Sequence, residues 1–345
     1  MAEIPVQNVY YLLCYAWDQM KEGEVAEVGG MEQTELADLF AQVLINGTKR
    51  VARHGLDRGY VHLAEDTARL RGRVDFSSSV KRILFPRAKA HCHFDELSID
   101  ILLNRILKAA LWHLSRVSTL DDRHRNNLLS LHRQFRGVGD IPFRRSAFRH
   151  VQIHSNNGFY RFLMNVCALI QQNLVVQEGG SGRQFRDFRR EDAVMSALFE
   201  KFVRKFYEHE QDVYTVDAPH IKWDLSDGDA SPFIPRMETD VVLRSPTRSV
   251  IIDTKYYQQT LRGQYKREKF ISGHLYQLFA YLKNAAVMDK VFEQAEGMLL
   301  YPTVQQELDE SFTVQGHRMR ICTINLAQPW QGIHSDLLAL IGGLN

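Results

Sequence analysis

Apolar residues recur every three or four positions in several stretches of this chain, and each stretch reads as an amphipathic helix. In the first half these are Leu36 to Val51, Ile99 to Val117, the shorter Asn126 to Phe135, and Phe159 to Leu174, whose Phe162, Val166, Leu169 and Ile170 share a face. In the second half Glu191 to Glu210 sets Met195, Leu198, Phe199, Phe202, Val203 and Phe206 on one side, and Glu268 to Ala286 and Ile333 to Leu340 are also helical. Between them lie strand-like runs. Tyr60 to Val74 and Lys89 to Phe94 are punctuated by Gly59, Gly72 and Pro86, and four more segments, METDVVLR, SVIIDTKYY, Gly297 to Pro302 and Met319 to Leu326, fall in the second half. The pattern predicts a mixed α/β protein without internal repeats. It breaks at Gln177 to Arg183, around Gly179-Gly180-Ser181-Gly182, which places a boundary between domains 1–177 and 178–345.

Two of the strand-like runs carry chemistry. If Ser245 to Arg248 turns an antiparallel hairpin, residues whose numbers sum to 493 face one another. Asp240 then lies opposite Asp253, with β-carbons roughly 4.5 to 5.5 Å apart, and alternation puts Lys255 on the face of Asp253. Two such carboxylates raise each other's pKa unless a cation sits between them, and a hard oxygen-ligand site suits Mg²⁺. Bound Mg²⁺ acidifies water and neutralises a phosphoryl oxygen, and an ammonium stabilises the transition state, which is the chemistry of phosphodiester hydrolysis. The bland alternative is a cross-strand ion pair on a solvated hairpin face.

The order of elements favours the chemical reading. Helix, strands carrying an acid and Asp-x-Lys, helix and strand is the core order of the PD-(D/E)xK nuclease fold, which the second half resembles. Thr239 stands where the superfamily's name has proline. In the helix after the hairpin, Gln277-Leu-Phe-Ala-Tyr281 is similar to the Gln-x₃-Tyr behind the active site of RecB-like members. Core and DNA-facing roles for Tyr281 both stay open. Glu200, at the edge of the Glu191 to Glu210 stripe, is where some relatives on this fold place a further metal ligand, and ligand and solvent-exposed roles both stay open for it.

A closer resemblance spans almost the whole chain. Ile4-Pro-Val-Gln-Asn-Val-Tyr-Tyr-Leu-Leu-Cys-Tyr-Ala-Trp17, Arg71-Gly-Arg73-Val-Asp-Phe76, Pro235-Arg-Met-Glu-Thr-Asp240, Asp253-Thr-Lys-Tyr-Tyr257, His274-Leu-Tyr-Gln-Leu-Phe-Ala-Tyr281 and Leu300-Tyr-Pro302 look like the McrC family. That resemblance implies the endonuclease subunit of a modification-dependent restriction system, acting on methylcytosine-containing double-stranded DNA. Its implied partner is a GTP-hydrolysing AAA+ subunit of the McrB type, a hexameric ring whose GTPase the first half would engage and stimulate. The metal ligands carry over to Asp240 and Asp253, the catalytic lysine to Lys255, and the implied cofactor is Mg²⁺, GTP being bound by the partner. A stand-alone repair or recombination nuclease, and a non-catalytic activator of an AAA+ ring, are the competing readings.

Composition narrows the remaining classes. The 345 residues suffice for two domains with their own cores, and 45% hydrophobic and 24% charged content is that of a soluble globular protein. No apolar run reaches the roughly 18 residues of a membrane span, and the N-terminus lacks the basic region of a secretory signal, so a cytoplasmic protein with reduced cysteines is expected. His91-Cys92-His93 has no second pair at zinc-finger spacing, and strand alternation would part the histidines from the cysteine, which argues against zinc there. No Gly-Lys-Ser/Thr follows the glycine-rich stretch, so no nucleotide-hydrolysing site is visible. Residues 1 to 175 hold 23 Lys and Arg against 18 Asp and Glu, a net of +5, and residues 176 to 345 a net of −3. The basic excess lies mainly in Arg123 to Arg149, with a second patch at Arg183, Arg186, Arg189 and Arg190. Such patches suit a phosphate backbone or an acidic partner surface equally.

Overall fold

The computed structural model describes residues 4–25, 35–153, 157–176, 182–226, 233–256, 262–264, 267–269, 272–303 and 307–342. The chain forms two compact units, Lys21–Arg186 and a second one made of Met1–Met20 with Asp187–Asn345.

The second unit is built on a six-stranded mixed sheet. Its elements are α1 (Val6–Ala16), α2 (Asp192–Glu210), β1 (Thr215–Asp217), β2 (Val241–Arg244), β3 (Ser249–Thr254), α3 (Ser272–Met288), β4 (Glu296–Pro302), β5 (Asp309–Val314), β6 (His317–Ile324) and α4 (Trp330–Gly342). The strand order is β5-β6-β4-β3-β2-β1. The central pairs β3–β4 and β4–β6 are parallel, and the outer ones antiparallel. Every residue of β3 is buried, as expected of a strand covered on both faces. On one face Val242, Ile251, Leu299 and Ile321 meet Leu278, Tyr281, Leu282 and Ala285 of α3. The apolar stripe of α2, read from the sequence as Met195 through Phe206, is buried against the other side. Gly297 permits the close approach of α3 to β4, since a β-carbon there would meet Leu282 at 2.8 Å and Leu278 at 2.9 Å.

The other unit packs four helices, Leu36–His54, Leu102–Ser115, Asp122–Gln134 and Gly158–Asn173, on one another and contains a three-stranded antiparallel sheet. In that sheet Ala90–Ser98 runs between Gly59–Thr67 and Arg73–Val74. A small apolar cluster of Leu63, Val74, Ala90, Cys92 and Phe94 fills one of its faces. The fold is mixed α/β, as the hydrophobic pattern predicts.

Two expectations are corrected. The division at 177/178 is displaced at both ends of the first domain. Leu174–Val176 pairs antiparallel with Arg183–Phe185, so the chain on both sides of the glycine-rich stretch stays in one unit, and the break falls after Arg186. Residues 177–181 themselves lie outside the described residues. The first twenty residues join the other unit because α1 is apolar nearly all round and packs on α2, with Tyr11 stacked on Trp330 at 4.9 Å. The buried Asn8 amide donates to the carbonyls of both Leu326 and Gln328, each at 2.8 Å. The helix expected from Glu268 begins instead at Ser272, because the backbone of Arg267–Lys269 is committed to an antiparallel ladder with Arg262–Gln264.

Asn8→Ala would leave two carbonyls without their donor, and it should lower stability by about 1–3 kcal/mol. Thermal unfolding of the full chain checks this, with a fall in Tm of about 5 °C expected. An unchanged Tm would mean that α1 is not held by this amide.

Candidate active site at the end of the central strand

Asp253 sits at the C-terminal end of β3, after the apolar run Val250-Ile251-Ile252. The pairing of β2 with β3 runs from Ser249↔Arg244 to Ile252↔Val241, partners summing to 493, so the next step brings Asp240 opposite Asp253. The turn is closed by the Ser245 amide donating to the Arg248 carbonyl at 2.8 Å. Arg248 in turn grips Glu296 at the start of β4 with two hydrogen bonds of 2.7 and 3.1 Å. This clamp fixes the register on which the carboxylate pair depends.

Each charged group is then held differently. One oxygen of Asp240 accepts hydrogen bonds from the amide and the hydroxyl of Thr254, both at 2.7 Å. Asp253 is 1% exposed, and among the described residues no backbone amide or hydroxyl donates to either of its oxygens. The Lys255 ammonium meets it as an ion pair at 2.7 Å, and the Lys255 amide continues the β3–β4 ladder by donating to the Leu300 carbonyl at 2.9 Å. Burial pushes the Asp253 carboxyl up to about 6; Lys255 works against that rise, while the charges of Asp240 and Glu200 add to it.

Glu200 of α2 is half-buried, and burial followed by the charge of Asp240 raises its pKa. It therefore belongs to the electrostatic neighbourhood of the two aspartates. Arg204, one helical turn on, lies 3.8 Å from the Glu200 carboxylate and donates to the Asp240 carbonyl at 3.3 Å. Among the described residues, however, no three or more His, Cys, Asp or Glu side chains close to metal-binding distance. Gln277 donates to the Tyr281 hydroxyl at 2.7 Å, and that hydroxyl donates to the Glu238 carbonyl at 2.9 Å, two residues before Asp240. Tyr281 is buried in the α3 core, yet its hydroxyl feels the charges of Asp253, Lys255 and Asp240. Tyr281 therefore takes the core role, its ring buried and its hydroxyl bracing the segment leading to Asp240.

Reading the sequence missed Thr254 and Arg204. Thr254 is the middle residue of Asp-x-Lys, where alternation places it on the opposite face. Its amide and hydroxyl nonetheless both reach one oxygen of Asp240, which lies in a bend just before β2. His274, which opens the motif ending at Tyr281, has its Nδ1 2.8 Å from the Tyr301 hydroxyl in the buried core.

Known proteins resemble the chain over most of its length. Residues 6–302 match the family described as McrBC 5-methylcytosine restriction system component. A curated relative, the type IV methyl-directed restriction enzyme EcoKMcrBC of Escherichia coli strain K12, is 32% identical over 337 residues, covering 97% of this chain and 96% of the relative. Among solved structures, a half-complex from a tetradecameric assembly of Thermococcus gammatolerans McrB AAA+ hexamers with bound McrC contains a chain of the same fold. The TM-score is 0.63 at 17% identity, over 99% of this chain and 76% of that one. Matched by the family over most of its length and by a relative over nearly all of it, the chain belongs to the McrBC restriction-system component family.

Proposed function

We propose that this chain is the Mg²⁺-dependent endonuclease subunit of a McrBC-type system, with Asp240, Asp253 and Lys255 as its catalytic centre of the PD-(D/E)xK kind. Its substrate is methylcytosine-containing DNA, and it works with a McrB-type AAA+ GTPase ring whose hydrolysis it stimulates. The observation that carries the reading is Asp253, a carboxylate sealed from water at a strand end, with the Lys255 ammonium as its one close charged partner among the described residues and with a second carboxylate facing it. Such a pair is short of positive charge, and its hard oxygen donors fit Mg²⁺. Asp240 and Asp253 would hold the ion, which when bound supplies acidification of water and neutralisation of the scissile phosphate. Thr254 keeps one Asp240 oxygen oriented. Lys255 brings an ammonium able to stabilise charge that grows on the phosphate, or to orient the attacking water. Glu200 tunes the pair electrostatically and is a candidate third ligand once an ion draws the carboxylates together.

Partner engagement we assign to the Lys21–Arg186 unit. Large apolar side chains, Tyr60, Leu70, Phe76, Val80, Ile83 and Phe85 among them, are exposed around its three-stranded sheet, as at surfaces that meet another protein. The same pairing is supported by the Escherichia coli relative, whose name joins both components as McrBC, and by the Thermococcus gammatolerans half-complex, in which McrC is bound to McrB AAA+ hexamers.

Plasmid cleavage with and without a cognate McrB-type subunit, GTP and Mg²⁺ tests the reading. Asp253→Ala and Lys255→Ala should each reduce cleavage by about 10²–10³ or more while GTPase stimulation stays within about twofold, because chemistry and partner contact lie in different units. Folded variants that lose GTPase stimulation as well would overturn that assignment, and cleavage by the chain alone would favour a stand-alone nuclease. Glu200→Gln should raise the Mg²⁺ concentration for half-maximal cleavage several-fold, and an unchanged Mg²⁺ dependence would remove it from the site.

The raised pKa of Asp253 fixes the sign of a stability effect in metal-free protein. Below about 4 the group is protonated in both folded and unfolded chains. As pH rises from there to about 6, the unfolded chain ionises first, so the folded state loses about 2–3 kcal/mol relative to a neutral residue at that position. In chelator-treated protein, the Tm of Asp253→Asn should therefore pull ahead of wild type across this window and level off above it. A difference that does not change with pH would contradict the burial of an ionising carboxylate.

A further inference from the structure

The His91-Cys92-His93 run, unpromising as a linear motif, acquires a different partner in the folded sheet. Cys92 points into the small apolar cluster and His91 is taken up by Asp66, whose carboxylate lies 2.7 Å from His91 Nδ1. His93 faces outward. In the pairing of Gly59–Thr67 with Ala90–Ser98, His62 lies opposite Asp95 and Ala64 opposite His93, which makes His62 and His93 diagonal neighbours on one face. Their rings are nearly parallel, at 17° and 5.5 Å between centroids, and His62 Nε2 lies 3.3 Å from His93 Nδ1.

The outer nitrogen of each ring faces a carboxylate. His62 Nδ1 is 3.1 Å from Asp95 and His93 Nε2 is 3.8 Å from Asp75. An ionised carboxylate only accepts, so Asp95 at 3.1 Å holds the His62 proton on Nδ1 and leaves the Nε2 lone pair towards His93, whereas Asp75, already accepting from the Ser78 amide and hydroxyl, is beyond hydrogen-bond distance of His93. The two inner nitrogens thus share a hydrogen bond, and a cation bound to both lone pairs can take the place of its proton. Metal-bound histidines are oriented in the same way, by a carboxylate on the far nitrogen. The inner separation also fits, because two bonds of about 2.0–2.1 Å at a tetrahedral angle span roughly 3.3–3.4 Å.

Both histidines line a cavity of about 990 Å³ with Arg71, Arg73, Asp75, Asp95 and Glu96, so three carboxylates outnumber two arginines. Arg71 is also engaged over the Phe94 ring. Gly72, at φ +57°, shapes the wall, since a β-carbon there would come within 2.3 Å of the His93 carbonyl.

We propose that His62 and His93 form a two-histidine chelate for a divalent transition metal, with water completing the coordination and Asp95 as a positioning residue. Imidazole ligands select Zn²⁺, Cu²⁺ or Ni²⁺ over Mg²⁺, so the site is chemically separate from the carboxylate centre. Only two side chains bind the metal, in keeping with the absence of any three-ligand cluster among the described residues.

The test uses the full chain without a histidine tag, titrated with Zn²⁺ in millimolar Mg²⁺ and followed by calorimetry, with Cu²⁺ electron paramagnetic resonance as a second readout. One Zn²⁺ equivalent should lose affinity more than tenfold in His62→Asn and in His93→Asn, and several-fold in Asp95→Asn, while His54→Asn stays at wild type. Nitrogen couplings in the Cu²⁺ spectrum should disappear with either chelating histidine. Thermal unfolding without metal shows whether each variant is folded. The His62 side chain is 65% exposed, so its variant decides the question even if the His93 variant fails to fold. Zn²⁺ affinity within twofold of wild type in folded His62→Asn, or a wild-type Cu²⁺ spectrum that this substitution leaves unchanged, would overturn the proposal.

Discussion

A carboxylate buried at the end of a central strand is the constraint around which the second unit is organised. Asp253 follows three apolar residues in a strand covered on both faces, so it cannot reach water without unpacking them. Its ion pair with Lys255 returns part of the desolvation cost and leaves the rest standing, as is usual when a charge is buried with a single partner. The residual cost is consistent with a site whose full complement of charge arrives from outside the chain.

Everything around Asp253 serves to fix spacing. The Ser245 to Arg248 turn and its clamp on Glu296 set the hairpin register, and a slip of one residue would turn Asp240 to the opposite face. Thr254 and Arg204 hold the side chain and carbonyl of Asp240, and the Gln277–Tyr281 relay holds the carbonyl of Glu238 just upstream. None of these groups needs to touch a substrate to matter. In the proposed centre small displacements would cost rate steeply, so hydrogen bonds that restrain the backbone next to Asp240 would contribute to its chemistry indirectly.

The division of the chain into units separates two kinds of surface. One unit carries the buried Asp253 beside the half-buried Asp240, and the other presents exposed apolar side chains and an outward histidine pair on a small sheet. The N-terminal helix belongs with the carboxylate unit although nearly 170 residues intervene before that unit resumes. Asn8 is part of the physical reason, since its amide satisfies two carbonyls after β6 that a purely apolar helix would have left unpaired.

Much of this was legible in the amino-acid order, because hydrophobic periodicity and strand alternation are local properties. The α2 stripe, the hairpin register and the convergence of Asp240, Asp253 and Lys255 all follow from spacing within about sixty residues. What the sequence could not settle depends on pairing across distance. The helix expected from Glu268 starts later because its first residues are claimed by a neighbouring strand, and the expected boundary at 177/178 fails because Leu174–Val176 pairs across the glycine-rich stretch. Glu200 could be placed on a helix edge but not turned towards Asp240, and His62 could not be matched with His93, until helix packing and sheet register brought them together. Local pattern thus determined which residues could carry chemistry, and tertiary packing decided which of them are buried, and therefore how much each charge or lone pair needs a partner.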